Sequence, residues 1–223
     1  MLRAQRHSRP SAWALAALGA LALGCSPSNA PVREPVDATL KSSNLRIIAV
    51  ADALEALVAR GADSHADRQY AYQRVRMQSA PSAEDALGRA IIAGRLAQIS
   101  GLAAPGLIAE VERYARQSAE LDPAFRAGAA QRLLGTLYVM APAALLDHGD
   151  SELGLELLQG VVRRFPEHVA NRLRLAEAYL ALGDPAPAHS HLCYCNEHRA
   201  ALRPDEQKLL HELLAQSPLG QCP

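Results

Sequence analysis

The 223-residue sequence lacks any sustained alternation of apolar and polar residues rich in β-branched side chains, the pattern expected of β-strands. Alanine, leucine, arginine and glutamate dominate instead, and apolar stripes recur at helical spacing. We therefore predict an all-α fold. A chain of this length buries about 70% of its unfolded surface, which is enough for one domain with a full core.

The sequence also lacks a dense basic patch. Basic and acidic residues number 23 each, and residues 1–24 hold three arginines and no acid, so the remainder carries a formal charge of −3. Binding to nucleic-acid phosphates requires positive charge concentrated on one face. We therefore expect no nucleic-acid partner.

Catalytic motifs are missing as well. The segment 63–67 has the residue types of a hydrolase triad, but neighbours along a chain rarely point at one another. The spacing from Ser64 to Asp67 favours a capping box at a helix start instead. The segment 211–215 begins like a zinc-protease helix, yet Ala215 stands where the second histidine is required. We predict that the protein is not an enzyme and has no cofactor.

Cysteine is scarce, with four in the chain. Cys193 and Cys195 would point about 200° apart on a helix and could not bond to each other without breaking it. A disulfide would therefore join Cys222 to one of these two, and the spacing leaves open which one. The fourth, Cys25, lies near the N-terminus.

One predicted helix carries a possible metal site. His191, Cys195 and His198 would share a face and could offer ligands to zinc or copper. Against this, such a cluster lacks the usual paired spacing, and a cysteine often packs as a small apolar residue. We predict no metal here and keep a metal-binding protein as an alternative.

The N-terminus has the features of a secretory signal. Residues 1–24 combine basic residues with a short apolar run, below the roughly 18 residues of a membrane span. The ending 21–25, Leu-Ala-Leu-Gly-Cys, resembles the lipobox of bacterial lipoproteins, which implies cleavage before Cys25 and its acylation. An ordinary signal, leaving Cys25 as a thiol in an oxidising compartment, is the alternative.

The residues that follow suggest where the protein is anchored. Ser26, rather than aspartate, follows Cys25, and by resemblance to the sorting rule of many Gram-negative lipoproteins this implies the outer membrane. Prolines recur through 25–43, which we expect to be a flexible tether. A helical domain would span 44–216, followed by a tail at 217–223. The protein would lie on the periplasmic face of a bacterial membrane.

An internal repeat dominates the C-terminal half. The first helix of each copy carries a large residue, a small residue and a tyrosine. The second helix carries a small residue, then a large residue, then one that is small or apolar, as in the tetratricopeptide signature. The small residues would let two antiparallel helices approach closely, while the tyrosines fill the space beside them. One copy contains Gln131, Leu134, Gly135, Tyr138, Gly154, Leu158, Val161 and Pro166, and the other Arg172, Leu175, Ala176, Tyr179, Ala188, Leu192 and Cys195.

Upstream periodicity extends this pattern. An apolar stripe through 107–121 predicts the second helix of an earlier, degenerate repeat, whose first helix contains Gly94. We expect a tetratricopeptide-like solenoid of about three hairpins, with additional N-terminal helices and a C-terminal capping helix. The predicted helices are 45–60, 65–79, 83–100, 105–121, 123–140, 151–165, 168–182, 185–202 and 204–216.

The two repeat copies differ in length. Gly135 and Gly154 are 19 residues apart, whereas Ala176 and Ala188 are 12 apart, so the first copy has seven extra residues within 141–150. This insertion is partly apolar, and it must cover either the domain's own core or a ligand. We predict that Pro142, Leu145 and Leu146 form the lip of a binding groove.

Several segments carry a more specific resemblance. Residues 121–125, 132–138, 141–142, 149–150 and 171–177 are similar to the tetratricopeptide lipoproteins classed with the T component of TRAP-associated transporters. The similarity weakens upstream of 94–97, and 189–198 departs from the family pattern. It implies a periplasmic binding protein whose partner is a protein, such as a solute-binding protein of a TRAP-type transporter. A scaffold for envelope assembly is the alternative.

Overall fold

The computed structural model describes residues 35–42, 46–101, 104–217 and 222. Within these residues the chain forms nine α-helices and no strand, which confirms the predicted all-α class. The helices are α1 (Ile47–Ala59), α2 (His65–Val75), α3 (Ala83–Ala97), α4 (Ala104–Leu121), α5 (Ala129–Met140), α6 (Ser151–Arg164), α7 (Val169–Ala181), α8 (Pro185–Glu197) and α9 (Pro204–Gln216). None of them is long and apolar enough to cross a membrane.

Local signals in the sequence set several helix starts. Ser64 and Asp67 form the capping box expected of them, with the Ser64 Oγ accepting a bond from the Asp67 N–H at 3.1 Å. Ser82 caps α3, and Asp150 caps α6 by accepting from the Leu153 N–H. Each side chain satisfies a backbone donor that the first helical turn leaves without a partner.

Consecutive helices pair into three hairpins, α3 with α4, α5 with α6 and α7 with α8. The helices α1 and α2 pack on α3, while α9 packs on α7 and α8 and also contacts α1. This arrangement confirms the expected tetratricopeptide-like solenoid with additional N-terminal helices and a final capping helix.

Two glycines bring α5 and α6 into close contact. A Cβ atom on Gly135 would lie 2.7 Å from Leu158 Cγ, and one on Gly154 would lie 2.8 Å from the Gly135 oxygen. Neither distance is compatible with a side chain. Tyr138 is buried beside this contact, and Gly149 of the insertion passes directly over its ring.

The corresponding contact between α7 and α8 is made by larger side chains. Ala176, Ala188, Leu192 and Cys195 are fully buried in one cluster with Leu202 and residues of α9. Other repeat positions connect the second and third hairpins. Leu158 and Leu175 pack in one cluster, and Tyr179 accepts a hydrogen bond from Gln159. Val161 is buried, and α6 ends two residues before Pro166.

The start of α5 differs from the prediction. It begins at Ala129 rather than at 123, because Arg126, Ala127 and Gly128 have φ angles of 48°, 53° and 75°. Such left-handed backbone is costly for residues other than glycine. Long-range contacts hold it in place: Arg126 forms two bonds of 2.6 and 2.8 Å to Asp52, and the Ala127 oxygen accepts from Asn171.

Part of the expected tether belongs to the folded domain. A short 3-10 helix, Ala38–Lys41, buries Leu40 completely in the cluster formed by α1 and α2. The Asp37 N–H donates to the Asp67 carboxylate at 2.7 Å. The predicted signal at 1–24, Cys25 and the rest of the tether up to 34 lie outside the described residues, as does most of the tail.

A disulfide joins Cys193 to Cys222, whose Cα atoms are 5.2 Å apart. This decides between the two pairings that the spacing had left open. Cys195 stays reduced because it faces the opposite way, into the core, where burial raises the pKa of its thiol to about 12. The bond attaches Cys222 to α8.

Candidate functional site

A cavity of about 740 Å³, here called the groove, lies along the first helices of the hairpins. That volume falls in the range of pockets that hold small molecules or short peptide segments. Its walls come mainly from α1, α3, α5 and α7. The lining residues are Asp52, Glu55, Leu87, Ile91, Gly94, Arg95, Ala97, Gln98, Ile108, Val111, Arg126, Ala129, Arg132, Leu133, Thr136, Leu137, Met140, Ala141, Glu167, His168, Val169, Ala170, Arg174, Ala201, Arg203 and Glu206.

Helix α5 forms the centre of this surface. Its groove-facing residues recur every three or four positions from Ala129 to Met140, which places them along one stripe of the helix. The repeat positions Leu134, Gly135 and Tyr138 lie on the other side, against α6 and α4. The repeat signature therefore identified the face of α5 that packs on neighbouring helices, but not the face that lines the groove. The helical spacing of the groove-facing residues is nevertheless present in the sequence.

An ion-pair network forms part of the groove wall. Glu55 on α1 is bonded both to Arg95 on α3 and to Arg203 at the start of α9. Burial opposes ionisation of Glu55, but bonds and charge from the two arginines outweigh it and lower the pKa of the carboxyl. Asp205 extends the network, lying 3.7 Å from Arg95 and 3.2 Å from Arg203. The network joins the first and last helices.

Arg132 is placed differently from these arginines. Its Nη1 donates to the Asn171 Oδ1 at 2.6 Å, and Asn171 is itself fully buried and donates to the Ala127 oxygen. Burial lowers the pKa of Arg132 to about 10, so the guanidinium remains charged at neutral pH. Sequence reasoning missed both residues, since the contact joins positions 39 apart and has no local signal.

Residues 141–150 pack beside α4 and α5. Of this segment only Ala141 lines the groove, and neither Pro142, which is exposed, nor the two half-buried leucines reaches it. Leu146 packs instead on the cluster containing Leu134 and Tyr138. Of the two roles considered for the insertion, covering the core is the one that these contacts favour, and a part for Leu145 and Leu146 in partner binding stays a prediction.

Glu112 on α4 anchors the same segment. Its buried carboxylate accepts bonds from the Tyr138 O–H at 2.7 Å and from the Asp147 and His148 N–H groups at 3.0 and 2.8 Å. Burial opposes ionisation, but these bonds together lower the pKa of Glu112, and burial and Glu112 together raise the pKa of Tyr138. The insertion is therefore attached to the preceding hairpin.

Glu112, Asp147 and His148 also form a group whose ligand atoms lie within 4.8 Å of one another, as in metal sites. The Glu112 oxygens, however, are occupied by three hydrogen-bond donors. The chemistry of the group fits a structural anchor for the insertion better than a metal site.

The three metal candidates, which lie on α8 and at the residue that follows it, each have another partner. His191 Nδ1 lies 3.5 Å from Arg172, Cys195 donates to the Val169 oxygen, and His198 contacts the Tyr194 oxygen and stacks on the Tyr194 ring. Burial, with a contribution from Arg172, lowers the pKa of His191. Cys195 points into the core, so the three side chains do not meet at one point.

The architecture defines a helical-hairpin solenoid with a groove along its first helices. Residues 145–192 match the family model of the tetratricopeptide repeat, which covers α6, α7 and most of α8. This part of the chain is similar to the tetratricopeptide repeat, whose domains are typically non-catalytic modules for protein interaction. A comparison with curated proteins found no match.

Proposed function

We propose that the protein binds a partner protein through the groove. The supporting observation is the continuous surface that α1, α3, α5 and α7 present around a cavity of about 740 Å³. Helical repeat proteins use the surface created by stacked first helices for binding. Met140, which is 52% exposed at the rim, gives this surface an apolar contact point.

Site-specific photocrosslinking in cells tests this proposal. A photoreactive residue at Met140 should give a discrete crosslinked protein, because this side chain lines the groove. The matched control is Met77, which is 83% exposed and lies outside the groove. Equal crosslinking at both positions, or none at Met140, would contradict binding in the groove.

The location and the partner class are also part of the proposal. The protein would be anchored through acylated Cys25 on the periplasmic face of the outer membrane and serve as the accessory component of a TRAP-type solute uptake system. The partner would then be a solute-binding protein, and mass spectrometry of the Met140 adduct would identify it. An adduct with an envelope-assembly protein would support the scaffold alternative instead.

The anchor can be tested separately. Cys25→Ser should abolish labelling by a fatty-acid analogue and either release the protein or leave the signal uncleaved, because Cys25 is the residue that the lipobox places for acylation. Labelling that persists in the variant would exclude a lipoprotein. Cys195→Ala provides a control that removes a buried thiol and should leave labelling unchanged.

A further inference from the structure

Four of the five arginines that line the groove are paired with carboxylates of this chain. The two terminal nitrogens of Arg126 donate to the Asp52 carboxylate at 2.6 and 2.8 Å, and Arg174 Nη1 lies 2.8 Å from the Glu177 carboxylate. Arg95 and Arg203 share the Glu55 carboxylate described above. Their charge is neutralised within the fold, and these four side chains have little left to offer an incoming ligand.

Arg132 is the exception among the described residues, where no carboxylate lies within ion-pair distance of it. A guanidinium carries five N–H donors in a planar fork, and only Nη1 is bonded here, to Asn171. Arg132 is half-buried, and Glu206 and Glu55 act on its charge only from beyond ion-pair distance. Its unbonded N–H donors lie in the wall of the cavity and are available to a partner that arrives from outside.

The surroundings hold Arg132 ready for such a partner. Asn171 is fully buried and fixed by its bond to the Ala127 oxygen, so it holds one end of the guanidinium in place. His168 lines the same cavity, and its buried Nδ1 has no hydrogen-bond partner among the described residues. Burial and the charge of Arg132 both lower the pKa of His168, which keeps its ring neutral. A fixed donor needs little reorganisation on binding.

The rest of the cavity sets the character of the ligand. Ile91, Val111 and Leu137 line it, and Met140 stands at its rim. These side chains suit an apolar body, while Arg132 contributes positive charge and unbonded N–H donors. Glu167 and Glu206 also line the cavity, so a ligand with a single negative charge fits it better than a dianion does. The two oxygens of a carboxylate match the spacing of the guanidinium fork.

We propose that the groove binds a carboxylate group attached to an apolar body, with Arg132 as the residue that takes the carboxylate. The assignment rests on the proposed binding role of the groove and gives its ligand a chemical class. The group can belong to a small organic acid or to the end of a protein chain. Both sources present the same chemistry to Arg132.

Titration of the detergent-solubilised full-length protein tests the assignment. The probes are 4-methylpentanoate against its amide, and a leucine tripeptide with a free against an amidated C-terminus, each followed by NMR. Both acids should bind more tightly than their amides, by about tenfold, since a hydrogen bond to a charged group is lost in the amide. The acid with the higher affinity indicates the source. Equal binding of acid and amide, or no binding of either acid at about 50 mM, would overturn the proposal, since carboxylate contacts without further help bind in the millimolar range.

Two variants assign the effect to one residue. Arg132→Gln should abolish the preference for the acid, whereas Arg163→Gln, which alters an exposed arginine outside the groove, should retain it. A preference that survives Arg132→Gln would also overturn the proposal. If Arg132→Gln fails to fold, the Arg132 Nε–H signal of the wild-type protein must still shift with the acid and not with the amide.

These outcomes separate the ligand from the partner. If crosslinking at Met140 persists while no acid binds, partner binding stands and the carboxylate assignment falls. If the acids bind through Arg132 while Met140 yields no adduct, the carboxylate assignment is supported and the proposal of a partner protein in the groove is rejected.

Discussion

The α5/α6 and α7/α8 hairpins follow the same repeat spacing but make their central contact with residues of different size. Glycines at 135 and 154 leave no space for a Cβ atom, whereas alanines at 176 and 188 are accommodated and fully buried. The connections differ as well. The first hairpin has the long insertion held by Glu112, while the second turns sharply at Gly183, whose φ is 80°. One repeat pattern thus permits two contact distances.

The largest effect should come from adding a methyl group to the closer contact. Gly154→Ala would place a Cβ atom 2.8 Å from the Gly135 oxygen, so the backbones must separate, and overpacking of this kind costs about 1–3 kcal/mol. Urea unfolding should show the loss. The matched control is Gly160→Ala in the same helix, where the nearest atom is 3.8 Å away and helix propensity should add up to about 1 kcal/mol. Equal changes in the free energy of unfolding for the two variants would contradict a close backbone contact at Gly154.

The attachment of the insertion should contribute somewhat less. Glu112→Ala removes the acceptor of one O–H and two N–H groups, and an unsatisfied buried donor costs about 1–3 kcal/mol. We expect a loss of about 2 kcal/mol in the free energy of unfolding, measured by urea titration. Glu120→Ala, an exposed position on the same helix, should change it by less than about 0.5 kcal/mol. Comparable losses would show that Glu112 is not the anchor.

The two leucines of the insertion distinguish a core role from a role in binding. Changing Leu145 and Leu146 to serine should lower the melting temperature by a few degrees, because Leu146 packs on the Tyr138 cluster. Crosslinking at Met140 should be retained, since neither leucine lines the groove. An unchanged melting temperature with weaker crosslinking would instead establish these residues as a lip of the binding site.

The smallest difference between the hairpins should appear on acidification. His168, which precedes α7, and His191 on α8 both have pKa values lowered by burial, whereas α5 and α6 contain no histidine. The unfolded chain therefore binds protons to these residues at a higher pH than the folded chain does. Stability should fall as the pH drops through about 6.5.

Melting curves between pH 7.5 and pH 5.5 measure this effect. The range stays above the region where carboxylates with lowered pKa values, such as Glu55 and Glu112, begin to protonate. Changing His168 and His191 together to glutamine should flatten the dependence. If the melting temperature of the double variant still falls with pH as in the wild type, groups other than His168 and His191 cause the dependence.

The sequence predicted most helix starts and the pairing of helices. Ser64, Ser82 and Asp150 act on their own first turns, so their effect is local and readable. The start of α5 was predicted six residues too early, because it depends on contacts of Arg126 and Ala127 with distant residues. Leu40 was assigned to a tether for the same reason, since its burial depends on α1 and α2.

By itself the sequence determined the all-α class, the three hairpins and the small residues at their contacts, because helical periodicity and capping are properties of short segments. The tertiary structure decided which residues line the groove, which arginine of the groove forms no ion pair and where the insertion lies. The Glu55–Arg203 pair spans 148 residues, and Glu112 binds the insertion 35 and 36 residues further along the chain. Such contacts have no local signature, because they exist only once separate helices have packed.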